Sequence, residues 1–318
     1  MIVVLTGGSG GAKFVDGLRR VVSPEDLTII VNTGDDHDWW GLHVSPDLDS
    51  ITYVLAGMLS AERGWGVRGD TFYCLQAMKE LGEPFWFSVG DRDLATHVLR
   101  TKLLSQGRTL TEATQIIAQR LNLSSHILPM TNMRVETRVD TPSGEFSFEE
   151  YFVQRWYQDP VNAVRFTGAS ASRPAPGVLE AIAGAQAVLL APSNPVTSIG
   201  PILAVPGIRD ALAKTSAPVV AVSPIIGHAA VSGPAANLMA AQRLDVSISG
   251  VAETYGGFLD VLIAHDSDAD AAQMLSNDHL QIRCTNILMR TAEDKSRLAQ
   301  FALELAIPRA ASSAAEAE

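Results

Sequence analysis

The run Gly7-Gly8-Ser9-Gly10-Gly11-Ala12-Lys13 directly follows the apolar stretch Ile2-Val3-Val4-Leu5. Glycines let a backbone turn sharply and approach a ligand with no Cβ in the way. A helix that starts after such a loop offers unpaired N–H groups and the positive end of its dipole. The combination suits a phosphate, so Gly7, Gly8, Ser9, Gly10 and Gly11 are candidate nucleotide-binding residues. Lys13 stands where it either reaches the same phosphates or is simply solvated. The spacing matches neither a Walker A motif nor the G-x-G-x-x-G fingerprint. A dehydrogenase reading is disfavoured further because Asp26, at about the distance of a ribose-binding acid, precedes the second strand rather than ending it.

A second cluster runs from Asn32-Thr-Gly-Asp-Asp-His-Asp38 through Trp39-Trp40-Gly41 to Ser45-Pro-Asp-Leu-Asp-Ser50. Five aspartates within fifteen residues repel one another unless cations or solvent screen them. Hard oxygen ligands beside a phosphate site point to Mg²⁺, which takes one or two carboxylates together with substrate phosphates and water. Asp47 and Asp49 are the candidate metal ligands and catalytic residues. The plainer alternative is a solvated acidic loop in which Asp49 or Ser50 caps a helix beginning near Ile51. Trp39 and Trp40 suit stacking on a flat ring and internal packing equally.

Three further segments carry suitable groups. Gly90-Asp-Arg-Asp-Leu-Ala-Thr-His97 opens a helix with Arg92 between two carboxylates, either as an ion pair or as a guanidinium aimed at a phosphate or ring carbonyl. Ala191-Pro-Ser-Asn-Pro-Val-Thr-Ser-Ile-Gly-Pro201 follows another apolar run, and its Ser193, Asn194, Thr197 and Ser198 form a second candidate nucleotide cradle. Ser223-Pro-Ile-Ile-Gly-His-Ala-Ala-Val-Ser-Gly-Pro234 follows a third run in the same way.

These loops need a scaffold that brings them to one edge. Continuous apolar runs at 2–5, 27–31, 187–190, 218–222 and 261–263 read as strands buried on both faces of a parallel sheet. Open parallel sheets place ligands at the carboxyl ends of their strands. A helix is expected over Phe14–Val22 and a largely helical stretch from about Ile51 to Leu121, with a capping-type start at Thr109-Leu-Thr-Glu112. A β-hairpin is expected around Thr141-Pro-Ser-Gly144. The expected fold is α/β, a Rossmann-like, doubly wound, mostly parallel sheet. Its core comprises 1–60 and 176–308, a helical plus β-hairpin subdomain is inserted at 61–175, and 309–318 is a flexible tail.

The 318 residues carry 24 Lys and Arg against 35 Asp and Glu, a formal net charge of -11, which argues against a nucleic-acid partner. No apolar stretch approaches a membrane span. Two distant cysteines, Cys74 and Cys284, without metal-type spacing, fit a reduced, cytoplasmic protein.

Taken together, the chain resembles the 2-phospho-lactate transferase family of coenzyme F420 biosynthesis. The resemblance rests on Ser45-Pro-Asp-Leu-Asp-Ser50, Gly66-Val-Arg-Gly-Asp-Thr-Phe72, Gly90–His97, Pro192–Pro201 and Ser223-Pro-Ile-Ile-Gly227. The family commonly has Thr at the position of Ser50, which keeps the hydroxyl. The resemblance implies a Mg²⁺-dependent homodimer. Such an enzyme moves the acid-bearing phosphoryl group of a guanosine-diphosphate-linked three-carbon acid (lactyl, enolpyruvyl or glyceryl). The acceptor is the ribityl hydroxyl of the deazaflavin Fo, and GMP is released. It further implies that Asp49 and Arg92 contact Fo, and that the glycine loop and the Ser193-Asn194 region hold the guanosine phosphates. The rival reading is a non-catalytic nucleotide-sugar-binding regulator of the same fold. The aspartate-rich loop and the Gly90–His97 segment argue for the enzyme.

Overall fold

Ile2–Thr6 (β1) is buried at every position, so the strand is covered on both faces. It passes straight into Gly8–Leu18 (α1) and returns as Leu27–Val31 (β2), a second fully buried strand. In the computed structural model, which describes residues 1–307, a hairpin of His37–Trp39 (β3) and Leu42–Val44 (β4) follows. Four helices come next: Pro46–Leu55 (α2), Tyr73–Glu80 (α3), Asp91–Ser105 (α4) and Leu110–Arg120 (α5). His126–Pro129 (β5) precedes a three-stranded antiparallel sheet of Glu136–Thr141 (β6), Gly144–Ser147 (β7) and Ala163–Thr167 (β8). The chain continues through Val178–Ala183 (α6), Ala187–Leu190 (β9), Gly200–Ala204 (α7), Ile208–Lys214 (α8) and Val219–Val222 (β10). A small hairpin, Ile225–Ile226 (β11) and Ala229–Ala230 (β12), leads into Ala235–Ala241 (α9) and Ile248–Thr254 (α10). Val261–Ala264 (β13), Ala269–Leu275 (α11), Gln281–Cys284 (β14) and Ala292–Ala306 (α12) complete the chain.

Seven of these strands form one sheet in the order β14-β13-β10-β9-β1-β2-β5, and every pairing in it is parallel. Val4 lies opposite both Ile29 and Leu189, which fixes β1 between β2 and β9. The order reverses there, since β2 and β5 extend to one side and β9, β10, β13 and β14 to the other. The crevice at such a reversal is where open α/β sheets bind ligands. Because side chains alternate, Val3 and Leu5 enter one core with Val188, Leu190 and Val219, whereas Ile2 and Val4 enter the opposite core with Phe14, Leu18 and Leu298. The expected α/β, doubly wound architecture is present. Among the described residues no helix is long and apolar enough to cross a membrane.

Several expectations need correction. The stretch 61–175 is not one insertion, because β5 lies inside it and pairs with β2 as a sheet edge. Val139 and Val164 of the antiparallel sheet share a core with Val3 and Leu5, so that sheet continues the main core rather than forming a separate subdomain. β5 ends in Pro129, whose missing N–H is tolerated at an edge. The glycine run is the first turn of α1 and not a loop ahead of Phe14. Helix α2 starts at Pro46 and not at Ile51; a proline at its first position and two acidic residues in its first turn favour that start. Asp49 and Ser50 therefore lie within the helix rather than capping it. The capping box at Thr109 is present, with Glu112 N 3.2 Å from Thr109 Oγ1 and Thr109 N 2.7 Å from Glu112 Oε2. The tail expected at 309–318 lies outside the described residues.

Helix α12 clamps α1 at Gly17, where a Cβ would run into the Lys295 carbonyl and crowd Ala299. Gly17→Leu should therefore push α1 off α12 and lower stability by about 1–3 kcal/mol, read as a reduced urea midpoint; an unchanged midpoint contradicts this packing.

Candidate active site

Parallel pairing puts the loops after β1, β2, β9 and β10 at one sheet edge. Gly7 occupies the N-cap position of α1, and Gly8 opens the helix with φ +66°, a left-handed turn that glycine adopts without strain. Gly7 has no side chain to cap the helix. Asp47, in the first turn of α2, supplies the acceptor instead: Gly8 N–H donates to Asp47 Oδ1 at 2.6 Å. The second oxygen of Asp47 accepts from Asn32 Nδ2 at 2.9 Å, and the same amide donates to Asp35 Oδ2 at 2.9 Å. A Cβ on Gly7 would sit 2.5 Å from Asp47 Oδ2, and one on Gly10 would strike the Pro192 carbonyl. Close approach of the β2 and β9 loops thus requires glycine here.

The β9 loop closes the other side. Ser193 Oγ donates to Gly7 O at 2.7 Å, and Ser198 is buried 3.1 Å from a Gly7 Cβ position. Asn194 folds onto its own loop, its Oδ1 accepting from Val196 N at 2.9 Å. Thr197 is buried with its hydroxyl unpartnered. Ser9 and Lys13 are exposed on α1, and among the described residues no carboxylate holds Lys13.

Three carboxylates are buried together at this point. Burial, then the charge of Asp47, pushes the Glu149 carboxyl up to about 8. Burial also raises Asp47, to about 6, with Asp36 adding to it and the hydrogen bonds from Asn32 and Gly8 opposing it. Asp35 is raised well above the carboxylate range by burial and by the charges of Asp47 and Glu149. Asp35 Oδ1 and Asp36 Oδ1 are buried without a partner. Hard oxygen donors with uncompensated charge, next to an anion-binding helix end, fit a divalent cation such as Mg²⁺.

Asp47 and Asp49 do not converge on one point, contrary to the expectation that both hold a single metal ion. Two residues apart on a helix, their side chains diverge by about 200°. Asp49 faces α4, where the Arg100 guanidinium grips both its oxygens, Nη1 lying 3.1 Å from Oδ2 and Nη2 contacting Oδ1. His97 Nδ1 stands 3.4 Å from Asp49 Oδ2, and His97 Nε2 3.5 Å from Asp93 Oδ1. The Tyr53 hydroxyl lies 2.7 Å from Asp93 Oδ1. Burial alone would raise Asp93, but His97, Tyr53 and Arg100 hold it below the usual carboxylate range. Asp49, Asp93 and His97 lie close enough to suggest a metal cluster. However, the imidazole turns a different nitrogen to each carboxylate and Arg100 already neutralises Asp49, so a cation fits poorly.

Arg92 is exposed at the start of α4 and pairs with neither flanking carboxylate. Its Nη1 donates only to the Arg68 carbonyl, at 3.3 Å. Asp91 instead accepts from Thr71 Oγ1 and the Tyr73 and Cys74 N–H groups. Trp39 is 5% exposed and packs edge-on against Trp86 and Phe87, which settles it as a packing residue.

Residues 2–297 match the family model described as 2-phospho-L-lactate transferase CofD. The chain belongs to this family. It is accordingly a phosphotransferase of coenzyme F420 biosynthesis. It is 43% identical over 311 residues to a phosphoenolpyruvate transferase of Streptomyces coelicolor, covering 96% of this chain and 98% of that one. It is 42% identical over 303 residues to a 2-phospho-L-lactate transferase of Methanothermobacter thermautotrophicus, covering 95% and 97%. A solved UPF0052-family protein of Bacillus halodurans shares the fold, with TM-score 0.63, 17% identity and coverage of 95% and 98%.

Within the cluster from Asn32 to Ser50 the sequence reading settled on Asp47 and Asp49, gave Asn32 and Asp35 no individual role, and did not single out Glu149 or Arg100 at all. Asn32 and Asp35 had a usable signal, since they end a buried strand at the ligand edge. Glu149 had none. Its carboxyl has a proton affinity raised by the fold, so it contributes stability below its unfolded pKa near 4.5. That stability is lost as pH rises towards 8. In metal-free protein, Glu149→Gln should flatten the fall in urea midpoint between pH 5 and pH 8; a slope equal to wild type contradicts a neutral Glu149.

Proposed function

We propose that the protein joins a guanosine-diphosphate-linked three-carbon acid to the terminal ribityl hydroxyl of Fo, releasing GMP, with Mg²⁺. The reading is carried by one contact: the Asp47 carboxylate meets the N-terminus of α1, 2.6 Å from Gly8 N. A helix end built for an anion and a carboxylate at the same point accommodate a diphosphate together only when a cation lies between them. Asp35 and Asp47 are the residues that would hold Mg²⁺. When bound, it would neutralise the diphosphate charge and sharpen the electrophilic phosphorus.

In the reaction the acceptor oxygen forms a bond to the acid-bearing phosphorus. The bond from that phosphorus to the bridging oxygen breaks, and GMP leaves with the electron pair. The hydroxyl proton passes to the Asp47 carboxylate, which at about 6 is ionised at neutral pH, whereas Glu149, at about 8, already carries a proton. Phosphoryl transfer demands little covalent help, so positioning and charge stabilisation dominate. The N–H groups at the start of α1 hold the diphosphate, and the Ser193–Ser198 loop keeps them in place through Gly7. Arg92, free of carboxylates, and Asp49 contact the deazaflavin.

Relatives named for phosphoenolpyruvate and for 2-phospho-L-lactate match this chain almost equally, so overall identity does not select the acid. Incubating protein, Mg²⁺ and Fo with each guanosine-diphosphate acid, with products identified by mass, should give one preferred phosphodiester and GMP. Asp47→Asn should lower kcat at least ~10²–10³-fold, as for losing one key electrostatic group. Turnover near wild type in that variant, or turnover without divalent metal, overturns the reading.

A further inference from the structure

An anion at a helix N-terminus is held by the first backbone N–H groups, and in α1 two of these are already taken from within the protein. Gly7 N–H donates to Ser193 Oγ at 3.3 Å, and Gly8 N–H to Asp47 Oδ1 at 2.6 Å. The second contact is of another kind. It is short, its acceptor is a carboxylate, and that carboxylate comes from a different helix, 39 residues along the chain. Asn32 Nδ2 holds the other Asp47 oxygen at 2.9 Å, so the group is gripped through both oxygens. The chain leaves room for it: a Cβ on Gly7 would lie 2.5 Å from Asp47 Oδ2. The same spot carries more polar groups than the carboxylate uses. Thr6 and Thr197 are fully buried with hydroxyls that find no partner, and Asp35 Oδ1 is likewise unpartnered. The Thr197 carbonyl accepts from the Asn32 amide at 3.3 Å, which puts Thr197 beside Asp47. On its outer side the helix start is open, with Ser9 exposed and Gly8 and Gly10 half-buried.

Gly8 has a single amide hydrogen, so Asp47 and a phosphate oxygen compete for it. We propose that Asp47 is a specificity-determining residue: it fills the donor's anion seat itself and yields that seat only to an anion that arrives with a divalent cation. The inference rests on reading the α1 N-terminus as the donor site. A bare phosphate would have to push the carboxylate off Gly8 into a region that already holds Asp35, Asp36 and Glu149, with repulsion added and no partner gained. A diphosphate carrying Mg²⁺ brings that partner with it, because hard cations take carboxylate and phosphate oxygens together. A residue that only ligates metal has no influence on nucleotide binding when metal is absent. A residue that occupies the seat does, and the sign is opposite to that of a lost contact: removing it tightens binding.

The test measures affinity for GDP and for inorganic pyrophosphate by calorimetry, first in EDTA and then with Mg²⁺. It compares wild type, Asp47→Asn, Asp47→Ser and Asp36→Asn. The charge of Asp36 reaches Asp47, but its side chain bonds to His43 and Ser45 and not to Gly8, so its variant reports general relief of negative charge. Without metal, both Asp47 variants should bind GDP and pyrophosphate on the order of tenfold more tightly than wild type, the scale of one charge-assisted hydrogen bond. Asp36→Asn should gain clearly less. Mg²⁺ should tighten wild type strongly and the Asp47 variants little. Unchanged metal-free affinity in both Asp47 variants overturns the inference and leaves Asp47 a metal ligand alone. Weaker metal-free binding in both marks a structural role and overturns it too, and an equal gain in Asp36→Asn overturns it by tracing the effect to net charge. A wild type that binds no GDP even with Mg²⁺ overturns the proposed function and this inference together; an active wild type beside Asp47 variants that gain nothing in EDTA overturns the inference alone.

Discussion

A helix N-terminus favours negative charge, and glycine at the N-cap position of α1 cannot provide it. In this fold the charge comes from elsewhere, through Asp47 against Gly8 N–H. The consequence is crowding, because Asp35 and Glu149 are buried beside Asp47. A helix end supplies only about half a unit of positive charge, and one asparagine amide spread between Asp35 and Asp47 adds no net charge. The surplus shows in the raised proton affinity of all three carboxyls. The glycines, the small side chains of the β9 loop and the placement of α2 follow from the same constraint. Each lets chain or carboxylate approach where a larger group would collide.

Much of this scaffold was legible because burial on both faces leaves a plain mark. The runs forming β1, β2, β9, β10 and β13 are apolar at nearly every position. The edge strands are a different case. β14 alternates with exposed Gln281 and Arg283, and β5 is a four-residue strand closed by proline. Neither carries a continuous apolar signature, so both went unread, and the extent of the supposed insertion was misjudged with them.

The chemistry was legible by residue type and less so by direction. Asp47 and Asp49 stand out in the sequence as acids beside the glycine run, but a helix start at Ile51 leaves both in a loop, free to converge. Starting the helix at Pro46 turns them into positions two apart on a rigid cylinder. Glu149 and Arg100 were beyond reach for another reason. Their partners, Asp47 and Asp49, lie far away in the chain and are brought close only by packing of the antiparallel sheet and of α4.

The first turn of α2 then does something no single motif announces. Asp47 points to the α1 N-terminus and Asp49 to α4, with their Cα atoms separated along the helix axis by only about 3 Å. Under the proposed function α2 serves the donor through Asp47, while Asp49 ties α2 to α4, whose first turn presents Arg92. The acid carried by the donor is bonded to the phosphorus being transferred, so this division serves whichever acid is attached. That is consistent with relatives named for two different acids matching the chain equally well.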